Sequence, residues 1–127
     1  MSKYKNEIQN RITDYVEERG WEKLEFINVY NMLCNIGEET GEIWNLIKWM
    51  KDDGDLNKLI KKNKAEMIDG IGDLMWCLAR LANSLEIDMQ EAVEATHAEY
   101  EERFPVEIVK TRHGNPKLGG YDGKYDK

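Results

Sequence analysis

Apolar residues recur every three to four positions along most of this chain, and polar residues fill the positions between them. Tyr4, Ile8 and Ile12 follow this spacing near the N-terminus. An α-helix completes a turn in about 3.6 residues, so such spacing places the apolar side chains on one face of a helix. The pattern predicts helices over residues 3–19, 24–51, 64–85 and 88–103, with a shorter helical piece over 55–62.

The same pattern excludes a sheet. No segment alternates apolar and polar residues over a useful length, as a half-buried strand does. The two prolines, Pro105 and Pro116, come late, so proline bars no earlier residue from a helix. Amphipathic helices with short connections predict an all-α fold, a bundle of four to five helices. Such a bundle has a thin core, and the aromatic residues of its first two helices predict that oligomerisation completes it.

Charge is distributed unevenly along the 127 residues, whose net charge is −7. Residues 1–102 carry 12 basic and 22 acidic side chains, whereas residues 103–127 carry 6 basic and 3 acidic ones. Turn-forming glycines and a proline follow residue 105. We therefore predict a helical domain over residues 1–104. A basic, glycine-rich, irregular tail over 105–127 follows it, either as part of the same domain or as an arm.

Composition argues against several classes of protein. A net negative charge argues against general nucleic-acid binding, because neutralising phosphates requires a basic surface. No apolar run approaches the roughly 20 residues that cross a bilayer. The N-terminus MSKYKNEIQN has no hydrophobic signal core, and Cys34 and Cys77 are interpreted as reduced thiols. These features predict a cytoplasmic protein that binds neither a nucleic-acid polymer nor a membrane.

Two of the predicted helices carry a stripe of carboxylates. The stripes consist of Glu38, Glu39 and Glu42 in the segment NIGEETGEIW, and of Glu66, Asp69 and Asp73 in the segment EMIDGIGD. Like charges one turn apart are unfavourable, and more so where two stripes face each other inside a bundle. A divalent cation removes this cost, and Mg²⁺ takes oxygen ligands. The pattern predicts a Mg²⁺ or Mn²⁺ site between the two helices. The alternative is a solvated acidic face, with Glu66 serving as the partner of an N-cap at Asn63.

Glycines interrupt the same two helices. They are Gly37, Gly41, Gly70 and Gly72. Each costs a helix interior roughly 0.5–1 kcal/mol relative to alanine. Glycines beside carboxylates indicate positions where a neighbouring backbone or a ligand comes close.

Taken together, these residues resemble the MazG-like, all-α nucleoside triphosphate pyrophosphohydrolases. The signature of that family is EExxE followed further along the chain by ExxD. The segment EETGE, residues 38–42, matches the first half, with the family-like flank GEETGEI. The resemblance covers about residues 25–104.

The second half of the signature aligns in two ways. If Asp73 is the motif aspartate, Gly70 stands where the family has glutamate. If EMID is the motif, Glu66 and Asp69 are the matching residues. We favour a site that uses Asp73 with Asp69, assisted by Glu66.

The resemblance implies an activity and a role for each carboxylate. The activity is Mg²⁺-dependent hydrolysis of (deoxy)nucleoside triphosphates to monophosphate and pyrophosphate, which cleanses the nucleotide pool. Glu38 would orient or deprotonate the attacking water, and Glu39 and Glu42 would bind the metal. Asp69 and Asp73 would complete the metal shell. The resemblance also implies a homodimer or homotetramer.

The basic tail and one tryptophan are candidates for contacts with the substrate. Tail cations are suited to phosphates and to the leaving pyrophosphate, and the alternative is a solvated tail. A tryptophan is suited to stacking on a base. The candidates are Arg103, Lys110, Arg112, Lys117, Lys124 and Trp49.

Two other functions stay open at this point. One is a catalytically silent helical bundle that binds a nucleotide or a protein, because Gly70 stands in place of a motif acid. The other is hydrolysis of a different nucleotide pyrophosphate, such as a phosphoribosylated nucleotide.

Overall fold

The computed structural model of the protein describes residues 2–21 and 26–125. Within these residues the regular structure is helical, and no strand occurs. The elements are α1 (Glu7–Glu17), α2 (Phe26–Asn45), α3 (Asp53–Lys62), α4 (Lys64–Ser84), α5 (Met89–Arg103), α6 (Val106–Val109) and a 3₁₀ turn (Pro116–Leu118). The predicted all-α class is confirmed. Among the described helices, none has the length and apolar character that a membrane span requires.

Side chains form the N-caps of two helices. Asn6 Oδ1 accepts a hydrogen bond from the backbone N–H of Gln9 at 3.1 Å, at the start of α1. Asp52 Oδ1 accepts one from the N–H of Asp55 at 2.8 Å, at the start of α3. Each cap satisfies an N–H group that has no partner inside its helix. Gly20, with a φ of 66°, follows the end of α1, where the sequence predicts a stop.

The second helix is shorter than the sequence predicts. It ends at Asn45, whereas the predicted helix continues to residue 51. Beyond Asn45 the backbone forms tighter bonds, from Leu46 N–H to the carbonyl of Ile43 at 3.2 Å, as helices commonly do where they end. Asp55 Oδ2 accepts a hydrogen bond from the N–H of Lys51 at 3.1 Å. This bond fixes Lys51 to the start of α3. Trp49 therefore lies in the connection between the helices.

The chain divides into two compact units between Met89 and Gln90. In the first unit α2 packs along α4, and both α1 and α3 contact α4. The fourth helix is therefore the centre of this unit. Its core is thin, and the buried apolar residues of the described chain are Tyr4, Ile12, Ala79 and Ala82.

A buried glutamine joins α1 to the end of α4. The side chain of Gln9 has no solvent exposure. Its Nε2 donates to Asn83 Oδ1 at 2.9 Å and to the carbonyl of Ile87 at 2.8 Å, and its Oε1 accepts from the N–H of Met89 at 2.6 Å. Because its amide is hydrogen-bonded on both sides, this buried polar group avoids the penalty of an unsatisfied one.

The second unit holds the predicted tail, which is ordered by one arginine of α5. Arg103 donates from Nε to Asp122 Oδ1 at 2.6 Å and from Nη2 to Oδ2 at 2.5 Å. Asp122 is 3% exposed, and the N–H of Gly123 donates to the carbonyl of Arg103 at 2.9 Å. The segment at Asp122 and Gly123 thus lies against the end of α5. The division at residue 104 into a domain and a tail stays a prediction.

Candidate functional site

Gly70 brings α2 and α4 into close contact. It is buried, and a Cβ atom at this position would lie 2.8 Å from Ile43 Cγ1 and 3.1 Å from Ile43 Cδ1. Ile43 therefore fills the space that a side chain at residue 70 would need. Ile43 lies near the end of α2 and Gly70 near the start of α4. Glu39, one turn before Ile43 on α2, interacts with Asp73, one turn after Gly70 on α4. Because the earlier residue of one helix meets the later residue of the other, the two helices run antiparallel.

This contact fixes which side of the helix pair each stripe occupies. At about 100° per residue, Asp73 lies roughly 60° from the direction of Gly70 on α4. Glu39 lies roughly 40° from the direction of Ile43 on α2, with the same sign. In antiparallel neighbours, equal signs mean the same side of the pair. The carboxylates at Glu38, Glu39, Glu42, Glu66, Asp69 and Asp73 all take this sign, and we call their side of the pair the acidic side.

The opposite side of the pair is apolar and exposed to solvent. On α4, Ile71 and Leu78 turn roughly 80–100° from Gly70 with the opposite sign, and they are 52% and 46% exposed. On α2, Leu33 and Trp44 do the same, at 54% and 58%. Trp44 is therefore not a core residue within the described chain, although it shares the helical spacing of the apolar residues of α2. We call this surface, formed by Tyr30, Leu33, Trp44, Ile68, Ile71, Met75 and Leu78, the apolar side.

Glu39 is the electrostatic centre of the acidic side. Burial raises the pKa of its carboxyl group above the ordinary 4.5, and repulsion from Glu42, Asp73 and Glu38 raises that pKa further. One of these neighbours comes from the other helix. The structure therefore brings Glu39 of α2 close to Asp73 of α4.

A cysteine lies beside this group. Cys77 follows Asp73 by one helical turn and is half-buried. Its thiol pKa is raised, first by burial and then by the negative charges of Glu39 and Asp73. The sequence predicts a reduced thiol at Cys77 and does not link it to the carboxylates. The spacing of four residues from Asp73 was the signal available for it.

The two remaining carboxylates of α4 lie further from Glu39. Glu66 and Asp69 are exposed, and neither is among the groups that raise the pKa of Glu39. Asn63 forms no side-chain cap on α4, and its Nδ2 donates to the carbonyl of Leu59 at 2.9 Å. The alternative interpretation of Glu66 as the partner of that cap therefore lacks its hydrogen bond.

The donor chemistry of the acidic side fits a hard divalent cation. Glu39, Glu42 and Asp73 supply oxygen atoms from two helices, and Mg²⁺ prefers oxygen ligands. The negative charges of these carboxylates repel one another, which contributes to the raised pKa of Glu39. A bound cation would neutralise these charges. In the described part of the chain no three acidic, histidine or cysteine side chains form a ready-made ligand group. Binding of one ion by all three carboxylates would require their side chains to turn.

The four glycines differ in their surroundings. Gly70 alone among them would bring a Cβ atom within 4 Å of a neighbour, as the prediction of a close backbone approach requires. A Cβ atom at Gly37, Gly41 or Gly72 would meet open space. Packing within the described chain therefore accounts for Gly70 and leaves the other three unexplained.

Trp49 and the tail cations lie apart in the sequence and in different units. Trp49 is 80% exposed, and Lys48 Nζ lies 5.2 Å from the centre of its ring. Arg103 is held by Asp122, and Arg112 Nη2 donates to the carbonyl of Gly120 at 2.9 Å.

Three of the tail lysines, Lys110, Lys117 and Lys124, are exposed. Lys110 Nζ lies 3.5 Å from Glu107 Oε1, and both side chains are largely exposed. Lys124 Nζ lies 5.8 Å from the ring centre of Tyr125. Lys117 is in the exposed 3₁₀ turn. The roles of all these residues in substrate binding stay predictions.

Comparison with known families adds to this geometry. The model of the MazG nucleotide pyrophosphohydrolase domain matches residues 28–107. The chain belongs to this family. The match includes all six carboxylates of the acidic side, and the MazG domain supports hydrolysis of nucleotide pyrophosphates as its activity. No curated protein matches the sequence.

A solved structure shares the fold of this MazG domain. It is the crystal structure of a pyrophosphatase from Archaeoglobus fulgidus, with a TM-score of 0.67 and 23% sequence identity. The match covers 78% of this chain and 90% of that one. The predicted MazG-like helical fold is thus confirmed.

Proposed function

We propose that this MazG domain hydrolyses (deoxy)nucleoside triphosphates to the monophosphate and pyrophosphate with Mg²⁺ or Mn²⁺, and so cleanses the nucleotide pool of the cytoplasm. The observation that carries the proposal is the approach of Glu39 on α2 to Asp73 on α4, which raises the pKa of Glu39. A cluster of like charges on two helices is costly without a cation. The family to which the chain belongs acts on nucleotide pyrophosphates, whose phosphates attract such a cation.

Each carboxylate of the acidic side has a role in this proposal. A divalent ion held at the acidic side would neutralise the charge that develops on the phosphates during hydrolysis. Glu39, Glu42 and Asp73 would hold the ion, and Glu38 orients or deprotonates the attacking water. Glu66 and Asp69 lie on the same side of α4 and would assist in holding the ion.

Substrate contacts are assigned by chemistry. The exposed ring of Trp49 offers a face to the base, and Lys48 beside it adds a positive charge. Phosphates and leaving pyrophosphate attract the tail cations Arg103, Lys110, Arg112, Lys117 and Lys124. The lysines come first in this assignment, because both arginines already bind within the tail.

We also propose that the protein is a homodimer or homotetramer whose copies meet through the apolar side of α2 and α4. Seven large apolar residues lie exposed on one side of a helix pair, and clustered exposed apolar residues mark sites of protein association. Gly37 lies on this side with open space around it, which leaves room for a second backbone. Association of two copies would supply the core that the first unit lacks.

The first experiment measures pyrophosphate release from a panel of nucleoside and deoxynucleoside triphosphates, with Mg²⁺ and with EDTA. Release that requires Mg²⁺ and yields the monophosphate supports the proposal and identifies the preferred base. Inorganic phosphate and a diphosphate as products would contradict it.

Two further outcomes correspond to the alternative functions. Turnover of a phosphoribosylated nucleotide, with none of the triphosphates, would move the assignment to that substrate class. Nucleotide binding without turnover of any substrate, by a folded sample, would indicate a silent binding bundle.

A further inference from the structure

We propose that Gly70 and Ile43 form a size-matched pair that sets the separation of α2 and α4 at the acidic side, and that Gly70 is therefore a positioning residue for the metal ion. This inference rests on the metal site of the proposed function. It assigns Gly70 a role of its own, distinct from that of a lost motif acid.

The geometry of the contact carries the inference. A Cβ atom at residue 70 would lie 2.8 Å from Ile43 Cγ1, which is closer than carbon atoms pack. Cγ1 is attached directly to the Cβ atom of a β-branched side chain, whose χ1 angle is stiff. Ile43 therefore has little freedom to yield, and a methyl group at residue 70 would push the two helices apart.

The acidic side lies next to this contact on both helices. Ile43 follows Glu39 by one turn of α2, and Asp73 follows Gly70 by three residues of α4. Glu39 and Asp73 interact across the helix pair. A change in the separation at Gly70 is therefore transmitted to the distance between the two carboxylates. Metal sites respond strongly to such displacements, because ligand positions must match the ion.

The chain contains a matched control for this contact. Gly72 lies two residues away on the same helix, and a Cβ atom there would meet nothing within 4 Å. Gly70→Ala and Gly72→Ala make the same chemical change and the same gain in helix propensity. They differ only in what the added methyl group meets.

The test measures the affinity of the full-length protein for Mn²⁺ by calorimetry, without nucleotide, in five proteins. They are the wild type, Gly70→Ala, Gly72→Ala, Ile43→Ala and the double variant Ile43→Ala/Gly70→Ala. Circular dichroism establishes that each is folded. Gly70→Ala should weaken Mn²⁺ binding on the order of tenfold, and Gly72→Ala should leave it unchanged.

The double variant provides the decisive comparison. Without the Ile43 side chain the methyl group at residue 70 has room, so the double variant should bind Mn²⁺ as Ile43→Ala does. If Gly70→Ala alone does not fold, the double variant must fold and bind for the inference to stand. Loss of binding on adding Gly70→Ala to Ile43→Ala would overturn it.

The proposed function and this inference fail in different ways. Equal Mn²⁺ affinity in the wild type and a folded Gly70→Ala overturns the positioning role and leaves triphosphate hydrolysis untouched. A wild type that binds Mn²⁺ with the expected pattern but hydrolyses no triphosphate overturns the proposed function and supports the positioning role. A wild type that binds no Mn²⁺ overturns the inference.

Discussion

The side chains of Gln9 and Asn83 meet in a hydrogen bond of 2.9 Å that joins α1 to α4 inside the protein. Gln9 has no exposure, and it also bonds Ile87 and Met89 of the chain that leads into α5. One buried amide therefore ties the first helix to the end of the fourth. Replacing it leaves several buried partners without a bond, and each such partner costs about 1–3 kcal/mol.

We expect Gln9→Met, which keeps the length of the side chain, to lower the free energy of unfolding by roughly 2–4 kcal/mol. Urea denaturation followed by circular dichroism measures this change. Gln90→Met is the control, since Gln90 lies on the surface and bonds the exposed Glu94 at 2.9 Å. Equal stabilities of the two variants would contradict a buried role for Gln9.

The carboxylates of the acidic side should be required for turnover but not for folding. We expect Glu42→Gln and Asp73→Asn each to reduce Mg²⁺-dependent pyrophosphate release by at least about a hundredfold, because each removes a charged ligand. Circular dichroism should be unchanged. Glu102→Gln, on the exposed face of α5, is the control that keeps its activity. Near-normal activity of both site variants would refute the assignment of the site.

Glu39 should destabilise the metal-free protein at neutral pH. Its pKa is raised above 4.5, so the folded protein holds the proton more tightly than the unfolded chain does. The stability gained from the protonated form of Glu39 is complete below pH 4.5 and is lost as the pH rises through the raised pKa. Glu39→Gln should therefore raise the melting temperature in EDTA at neutral pH, and the gain should shrink as the pH falls below 4.5.

The same variant should lose metal-dependent turnover, so its stability and its activity would move in opposite directions. A melting temperature of Glu39→Gln in EDTA at or below that of the wild type at neutral pH would show that neither burial nor repulsion penalises the charge of Glu39.

The ion pair between Arg103 and Asp122 should hold the tail. We expect Asp122→Asn to accelerate proteolysis within residues 105–125, because a neutral amide replaces a carboxylate that accepts two short bonds from a guanidinium. Arg103 lowers the pKa of Asp122, so the ion pair holds the tail at pH values above 3.8 and is lost as the pH falls through the lowered pKa. Limited trypsin digestion at neutral pH, followed by mass spectrometry, measures how far the variant releases the tail.

The control for this variant is Glu107→Gln. It removes the pair with Lys110 at 3.5 Å, in which both side chains are exposed, and exposed pairs contribute little. Equal cleavage rates in the wild type and Asp122→Asn would mean that backbone bonds such as that from Gly123 to Arg103 suffice.

The apolar side should mediate self-association. We expect Ile71→Lys to shift the protein to the monomer in light scattering, because it places a charge among exposed apolar residues that a second copy would cover. Leu118→Lys is the control, since Leu118 is 73% exposed and lies in the tail. A wild type that is monomeric at high concentration would refute the proposed oligomer.

Much of the fold was accessible from the sequence. The apolar spacing predicts α4 within one residue at its end, and Gly20 marks the stop after α1. The end of α2 was missed, because the apolar pattern continues through Ile47 into a tighter turn that α3 organises. Periodicity does not distinguish the last turns of a helix from a turn that conserves the same spacing.

The acidic side was accessible in part. Helical spacing places the carboxylates of each helix in one sector, but the pairing of Glu39 with Asp73 depends on how the two helices align. That alignment is fixed by Ile43 against Gly70, a contact between residues far apart in the chain that no local pattern reveals. The sequence marks Gly70 as a departure from a motif, but no pattern in it indicates Ile43 as the packing partner of Gly70.

The ordering of the tail was not accessible. Turn-forming residues describe both an ordered arm and a frayed end, so composition left the two open. The pair of Arg103 with Asp122 joins residues with no periodic relation, and it uses an arginine that the sequence assigned to the substrate.

The division of the α2–α4 pair into an acidic and an apolar side makes it sensitive to length. Inserting one residue before Glu38 within α2 would turn all preceding side chains by about 100° relative to those that follow, and would move Leu33 off the apolar side. The same insertion in the connection between Asn45 and Asp52 would turn neither stripe. Natural or engineered variation in chain length should therefore be tolerated between the helices and rejected within them.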